Sequence, residues 1–529
     1  MVTTLSRRMR SMDTYDELPY QSTPFTETHP ENLALLGFLH GVPTPEPKKC
    51  RVLELGCAAG GNLIPLAWYL PDSRFLGIEV SKTQARRGQD LIRQLGIVNA
   101  EIRQGDILQL DAGLGQFDFI IAHGVFSWVP PVVQEKIFSI CSENLAPNGI
   151  AYISYNTLPG WRMRGMIRDM LLHHTRNRAS PPDKVGAARN LLASLITALE
   201  GFDAYSAKYV RYEAECLLTA HPSYLFHEYL ESNNQPLLFS EFAARARSYG
   251  MQYLCDLDLQ SMFPSVLGDR VAAFVAGIND VIEREQYLDF VRNRNFRQTL
   301  LCRDVHEVDR DLRLEKLDAL AFFANLSAPR KLDLRRIKEV PFRAPDGTRY
   351  PICHPLVKAA LQYLFSVYPD AVSFRTLFAR AQTMVVSDGD SRYANDLYDL
   401  RGELFSLYAH QAIGLAMVPQ RIARAVPERP CASLLARGQA AAGLGHLATM
   451  RHETLEIDAF ASRLVGYLDG SRTKGELVAQ LTADIVSGEL DVDSSADRSE
   501  EKRSARVAET CERLLSVFAR HGLLTEPSE

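Results

Sequence analysis

Two groups of residues have types and spacings that could do chemistry. The first is Glu54-x-Gly56-Cys57-x-x-Gly60-Gly61-Asn62, a glycine turn set directly behind the apolar run 52–55. A turn in that place lies at the carboxyl edge of a parallel sheet, where α/β folds bind ligands. Gly56 permits a sharp turn, and Gly60 and Gly61 let a ligand approach the backbone. No Gly-Lys-Ser/Thr follows, so a P-loop is excluded. About 20 residues on, the next apolar run ends in Glu79, placed to accept both hydroxyls of a ribose. Gly105-Asp106-Ile107 stands behind a third run. The second group follows the fourth and fifth runs: His123-Gly-Val-Phe-Ser-Trp128-Val-Pro130 and Tyr155-Asn156-Thr-Leu-Pro-Gly-Trp161. These loops hold two of the chain's three tryptophans, whose ring faces attract cations by about 0.5–2 kcal/mol.

Glu54-x-Gly56-x-x-x-Gly60, Gly77-Ile-Glu79 and Gly105-Asp-Ile107 resemble the cofactor motifs of class I S-adenosylmethionine-dependent methyltransferases. Ala58 departs from that pattern, since many such enzymes carry glycine there, and a slightly wider loop is expected. His29-Pro30, Ser127-Trp-Val-Pro-Pro131, Asn156-Thr-Leu-Pro-Gly-Trp161 and Phe226-His-Glu-Tyr-Leu230 narrow the resemblance. They are similar to bacterial methyltransferases bearing a methyltransferase regulatory domain, including the rickettsial protein-lysine methyltransferases, over nearly the whole chain. The resemblance implies S-adenosylmethionine as cofactor and a protein or peptide bearing lysine as acceptor, and the scattered cysteines lead us to expect no metal. It places Gly56 and Gly60 against the methionine moiety, with Glu54, Cys57, Gly61 and Asn62 in the same turn. Glu79 takes the ribose, Asp106 the adenine amino group, and Ile107 packs on the ring. Trp161 and Trp128 are expected to wall a lysine channel, with Tyr15, Tyr20, Tyr155 and Asn156 orienting the amine. Tyr20 also belongs to the expected cofactor site. Core packing is the alternative for both tryptophans. His123 reads equally as a general base or as a structural histidine beside a turn.

These residues need elements that position them. Strands are expected near 51–56, 74–79, 100–104, 117–122 and 149–155, with helices near 61–70, 82–95 and 131–145. That alternation implies right-handed crossovers and a parallel sheet covered on both faces. Residues 161–235 then read as helices, and Gly250 ends a further helix before a strand. The run 297–302 reads as an antiparallel seventh strand. The fold class is therefore α/β: a Rossmann-like methyltransferase sheet with a helical insertion, followed by winged-helix-like modules. The expected divisions are a leader or lid at 1–30 and a cofactor-binding core at 31–160. A regulatory insertion with the last strands spans 161–305, and two winged-helix-like modules span 306–430 and 431–529. Asp346-Gly347 marks a hairpin turn, residues 1–12 read as disordered, and 487–504 reads as a flexible loop.

Composition narrows the classes. Hydrophobic residues at 46% and charged residues at 23% suit packed soluble domains. A net charge of -5 argues against nucleic acid as the main partner. No run reaches the roughly 20 apolar residues of a membrane span, and no secretion signal is expected, since no apolar segment stands behind Arg7, Arg8 and Arg10. The nine cysteines include no Cys-x-x-Cys pair, so reduced thiols and a cytoplasmic setting are expected. Nothing in the sequence specifies an oligomeric state. Two other readings compete: a small-molecule methyltransferase, and a regulatory protein on a catalytically silent fold. The long C-terminal extension counts against the first, and the intact glycine turn with Glu79 against the second.

Overall fold

The computed structural model describes residues 17–18, 22–387, 392–422, 426–491 and 500–525, and divides into two units. The first comprises residues 1–23 and 42–308. Its sheet consists of β1 (Arg51–Leu55), β2 (Arg74–Glu79), β3 (Ala100–Gln104), β4 (Phe117–Ala122), β5 (Leu145–Asn156), β6 (Met251–Asp256) and β7 (Phe296–Arg303). The order is β3-β2-β1-β4-β5-β7-β6. The first five strands run parallel, and β7 pairs antiparallel with both β5 and β6. Four consecutive residues of β1 and of β4 are buried, which is the pattern of strands covered on both faces.

Calling the helix Pro30–Leu39 α1, the crossovers are α2 (Leu63–Tyr69), α3 (Lys82–Gln94) and α4 (Pro131–Asn144). Their starts are set locally. Ser81 Oγ accepts the Gln84 amide to cap α3, and Pro131 occupies the first turn of α4, where a missing N–H costs nothing. Between β5 and β6 come α5 (Gly160–Thr175), α6 (Pro181–Ala198), α7 (Tyr205–Thr219), α8 (Pro222–Tyr229) and α9 (Phe239–Ser248). The first four of these share a core of their own that includes Ile167, Leu171, Leu192, Leu217 and Phe226. The helical segment is thus inserted within the sheet, as its sequence position implied. After β6, α10 (Asp269–Ala276) and α11 (Val281–Arg292) lead to β7.

The second unit comprises residues 24–41 and 309–529. Here the structure departs from the expected start of the cofactor-binding core at residue 31. Leu35 and Leu39 of α1 pack in a cluster with Phe322, Phe342, Leu356, Leu361 and Leu400. Nearly every side chain of α1 is apolar, so the helix must be covered all round, and adjacency to β1 in sequence does not say by what. The hairpin around Asp346-Gly347 forms as expected, pairing Val340–Arg343 with Arg349–Ile352. A separate core, with Leu464, Leu468, Leu481, Leu515 and Phe518, holds the last module. Thr473 and Glu476 cap the helix Lys474–Ser487 reciprocally, and the helix Glu500–Arg520 includes the end of the expected loop. The middle of that loop and residues 1–12 lie outside the described residues. Among the described residues, no helix is long and apolar enough to cross a membrane.

Candidate functional site

The glycine turn hangs from its neighbouring strand: the Gly56 and Cys57 amides donate to Ile78 O at 2.8 and 3.2 Å. Gly56 and Gly60 adopt φ of 74° and 77°, in the region that favours glycine. Ala58 adopts φ 48° without being glycine, and its amide donates to Glu79 Oε2 at 2.9 Å. The close approach expected from a ligand is made here by the protein itself. A Cβ on Gly61 would lie 2.0 Å from Ser22 O, and one on Gly60 would lie 2.7 Å from Ile102 Cδ1. Ser22 Oγ also accepts the Gly61 amide at 2.8 Å, so the leader crosses the turn. Tyr15 and Tyr20 lie outside the described residues.

Glu79, 9% exposed, receives the Ala58 amide on one oxygen and the Ser81 amide on the other, the latter at 2.8 Å. Two backbone donors fix this carboxylate at the end of β2. Glu54 is also buried but is served differently. Asn62 Nδ2 donates to its Oε1 at 3.1 Å, while Oε2 is buried with no hydrogen-bond partner. Burial, reinforced by the Glu79 charge and opposed by the Asn62 hydrogen bond, pushes the Glu54 pKa up to about 8. Cys57 contributes backbone only. Its thiol packs against Gly77, and burial pushes its pKa well above the ordinary range. Asp106 Oδ1 accepts the Leu108 amide at 3.0 Å, and Ile107 is half-buried at the core's edge.

The second group gathers at the carboxyl ends of β4 and β5. Buried Ser127 ties three segments together. Its Oγ accepts the Asn156 amide at 2.7 Å, and its carbonyl accepts the Gln235 amide at 2.8 Å. Asn156 Nδ2 donates to Asn234 Oδ1 at 3.0 Å, binding the end of β5 to the end of the insertion. The His123 ring stacks on Tyr152, with Nδ1 2.7 Å from the phenol oxygen. Desolvation lowers the His123 pKa to about 4, so it is neutral near pH 7 and a weak proton acceptor. That environment suits the structural reading of this histidine.

Tyr155 requires a correction. Side chains alternate along β5, and Tyr155 points into the core, stacked on Phe242 with centroids 4.1 Å apart. Its hydroxyl is hydrogen-bonded to Thr299 at 3.0 Å, so it is not placed to orient an amine. The tryptophans do meet, edge to face at 6.2 Å, but they differ in burial. Trp161 is 3% exposed, Tyr229 lies 5.9 Å away, and the Arg164 guanidinium sits 6.0 Å from its ring centroid. Trp128 is half-buried.

Sequence reasoning missed the residues around Trp161. Arg164 pairs with Glu213 at 3.1 Å, and the Tyr229 hydroxyl donates to Glu213 at 2.6 Å. The available signal was spacing: Arg164 lies one turn after Trp161 on α5, and Tyr229 falls within the singled-out Phe226–Leu230 stretch. The leader reaches this region too, since Leu18 O is 2.7 Å from His227 Nε2.

Comparison with known proteins agrees with this geometry. Residues 52–149 match the "Methyltransferase domain" family, and 221–303 match the "Predicted methyltransferase regulatory domain". Residues 428–523 match the "PKMT, C-terminal winged helix domain". An uncharacterised Rickettsia prowazekii protein is 32% identical over 93% of this chain and 90% of its own length. A second protein from that organism is 39% identical over 44% of this chain and 93% of its own. The solved structure of PKMT2 from Rickettsia typhi has a TM-score of 0.86 and 28% identity. It covers 96% of this chain and 100% of its own, and the same protein has been solved in complex with AdoHcy.

Proposed function

We propose a protein-lysine acceptor from one premise: the chain belongs to the class I S-adenosylmethionine-dependent methyltransferases with a regulatory domain. The reaction class and the cofactor follow from membership, and the acceptor is the inference. The observation that carries it is likeness to PKMT2 over nearly the full length, winged helix included. A small-molecule enzyme needs no such module.

The residues present fit the cofactor. Glu54 Oε2 is a buried acceptor without a donor, and leaving such a group unpaired costs about 1–3 kcal/mol. A cationic amino group would satisfy it. Glu79, fixed by two amides, would receive the ribose hydroxyls, and Asp106 with Ile107 would border the adenine. When bound, S-adenosylmethionine supplies an electrophilic methyl group on a sulfonium sulfur. The protein's part is to hold the acceptor in line and exclude water, which contributes to lowering the barrier through orientation. Ser127 and Asn156 hold the acceptor side closed around Trp128 and Trp161. Nine free thiols suit a cytoplasmic setting.

The test is incubation of purified protein with labelled cofactor and a lysate, followed by proteolysis and mass spectrometry. Label on lysine side chains of proteins is expected. Label confined to small molecules, or to other side chains, would overturn the acceptor assignment.

A further inference from the structure

We propose that the basic hairpin of the second unit is a docking surface for an acidic stretch of the protein acceptor, a role resting on the protein-lysine reading above. Residues 330–349 hold seven Lys and Arg against three Asp and Glu, in a chain whose net charge is -5. Arg330, Lys331, Arg336, Lys338, Arg343 and Arg349 are all exposed. Among the described residues none of these six has an ion-pair partner. Other basic groups of the same unit do find carboxylates: Arg401 forks onto Asp318, and Arg463 reaches Asp484 and Glu489. Two of the segment's own acids are spent on its backbone. Asp346 accepts the Thr348 amide and hydroxyl at 2.8 and 2.9 Å, and Asp333 Oδ1 accepts the Arg335 amide at 2.9 Å.

The backbone under this charge is fixed. Buried Lys358, on the helix Pro355–Val367, donates to Arg336 O at 3.1 Å, and Leu334, Phe342 and Ile352 anchor the segment in the core. Arg343 and Arg349 stand directly opposite each other across the hairpin, on the face away from buried Phe342. Like charges so placed destabilise a hairpin, and a bound anion removes that cost. Two guanidiniums also present planar forks that match carboxylates. Pro341 and Pro351 oppose each other on the same face and offer no amide, so the partner is held by side chains and not by strand addition. A polypeptide suits the patch better than nucleic acid. The one aromatic residue of the segment, Phe342, is buried, which leaves no ring for bases to stack on. A long polyanion would also meet the repulsion of an acidic chain, whereas a short acidic stretch meets the patch alone.

The experiment uses the full chain, S-adenosylmethionine and two synthetic peptides with one lysine each, flanked by alternating Glu and Ser or by alternating Gln and Ser. Fluorescence anisotropy at about 0.15 M salt, where the Debye length is about 8 Å, gives affinity, and mass spectrometry gives lysine methylation. The variants are Arg343→Gln with Arg349→Gln, the same pair changed to lysine, and a charge-matched control. The control is Arg86→Gln with Arg87→Gln, at exposed positions of α3. The wild type should bind the acidic peptide about tenfold more tightly than its neutral twin, since several exposed pairs of modest strength act together. The glutamine pair should lose most of that margin, with melting temperature not lowered and kcat on the neutral peptide unchanged. The lysine pair should keep most of it, and the control all of it. Equal binding of the two peptides by the wild type, or by wild type and glutamine pair alike, overturns the docking surface, and methylated lysine in those runs leaves the acceptor reading standing. Charge-dependent binding with label absent from lysine supports the surface and overturns the acceptor reading. A binding loss shared by the lysine pair and matched by a lowered melting temperature overturns the surface in favour of a structural role. Tighter binding of a single-stranded DNA of equal charge, lost in the glutamine pair, overturns it in favour of nucleic acid.

Discussion

Glu54 and Glu79 sit at one turn and differ by environment: backbone amides serve the second, and burial isolates half of the first. At pH 7 a carboxyl with a pKa of about 8 is mostly protonated in the free protein. A folded-state pKa raised above the unfolded value means that native stability falls as pH rises from the ordinary carboxylate range to about 8. Binding a cation at Glu54 reverses that preference. Cofactor binding at pH 7 should therefore release a proton, and affinity should climb toward pH 8. Glu54→Gln should abolish both effects, as read by calorimetry in buffers of different ionisation heat. Glu79→Ala should weaken binding about tenfold or more, since a charged hydrogen-bond partner contributes about 1.5–3 kcal/mol. The tryptophans separate in the same way. Trp161, buried beneath Arg164, should on change to leucine lower the melting temperature by several degrees. Half-buried Trp128, changed likewise, should keep the melting temperature and lose about 5- to 30-fold in turnover, or roughly 1–2 kcal/mol. Equal melting losses in both variants would reject this division.

At the scale of elements, the end of β5 is held by the start of β7. The Gly160 amide donates to Arg294 O at 2.9 Å, and the Thr157 amide donates to Asn295 O at 3.0 Å. That approach explains Gly160, where a Cβ would lie 2.5 Å from Arg294 O. Beneath it, fully buried Arg297 pairs with Asp256, Glu285 and Asp289 at 3.2, 3.0 and 2.9 Å. Its guanidinium also lies over Phe239 at 3.9 Å. Burial raises the Glu285 and Asp289 pKa values, and Arg297 holds them partly down. Arg297→Met should destabilise the protein by about 3–5 kcal/mol at pH 7, because buried Glu285 loses its ion pair while Asp256 and Asp289 keep only Arg294, at 2.7 and 3.9 Å. The deficit should shrink toward pH 5.5 as Glu285 and Asp289, whose pKa values burial raises, take up protons, which urea unfolding at both values measures. A deficit independent of pH would mean that lost packing, not stranded charge, is responsible.

For the whole molecule, the winged helix at 428–523 has its own core and carries none of the residues proposed to hold the cofactor. If it recruits the protein acceptor, a chain ending at residue 427 should bind cofactor normally but methylate protein substrates far more slowly. A folded truncation with unchanged rates would argue against recruitment, and loss of cofactor binding would point to a structural role.

The sheet and the glycine turn beside Glu79 were legible because their determinants are local. Apolar runs of strand length, a glycine turn and a glutamate at the next strand's end are all read along the chain. The insertion was legible as well, since Gly250 closes a helix before a strand and that strand must pair somewhere. What the sequence could not give was partnership between distant segments. Arg297 reads as an ordinary strand arginine until Asp256 and α11 bury it, and Tyr155 reads as a strand-end tyrosine until Phe242 covers it. The apolar α1 declares that it must be buried, but only packing assigns it to Phe322 and its neighbours. Arg164 and Glu213 come from two helices of the insertion, and their charges acquire meaning only when those helices fold together. Local order follows from steric preference and hydrophobic period, whereas which charge is matched and which is left over is decided by burial in three dimensions.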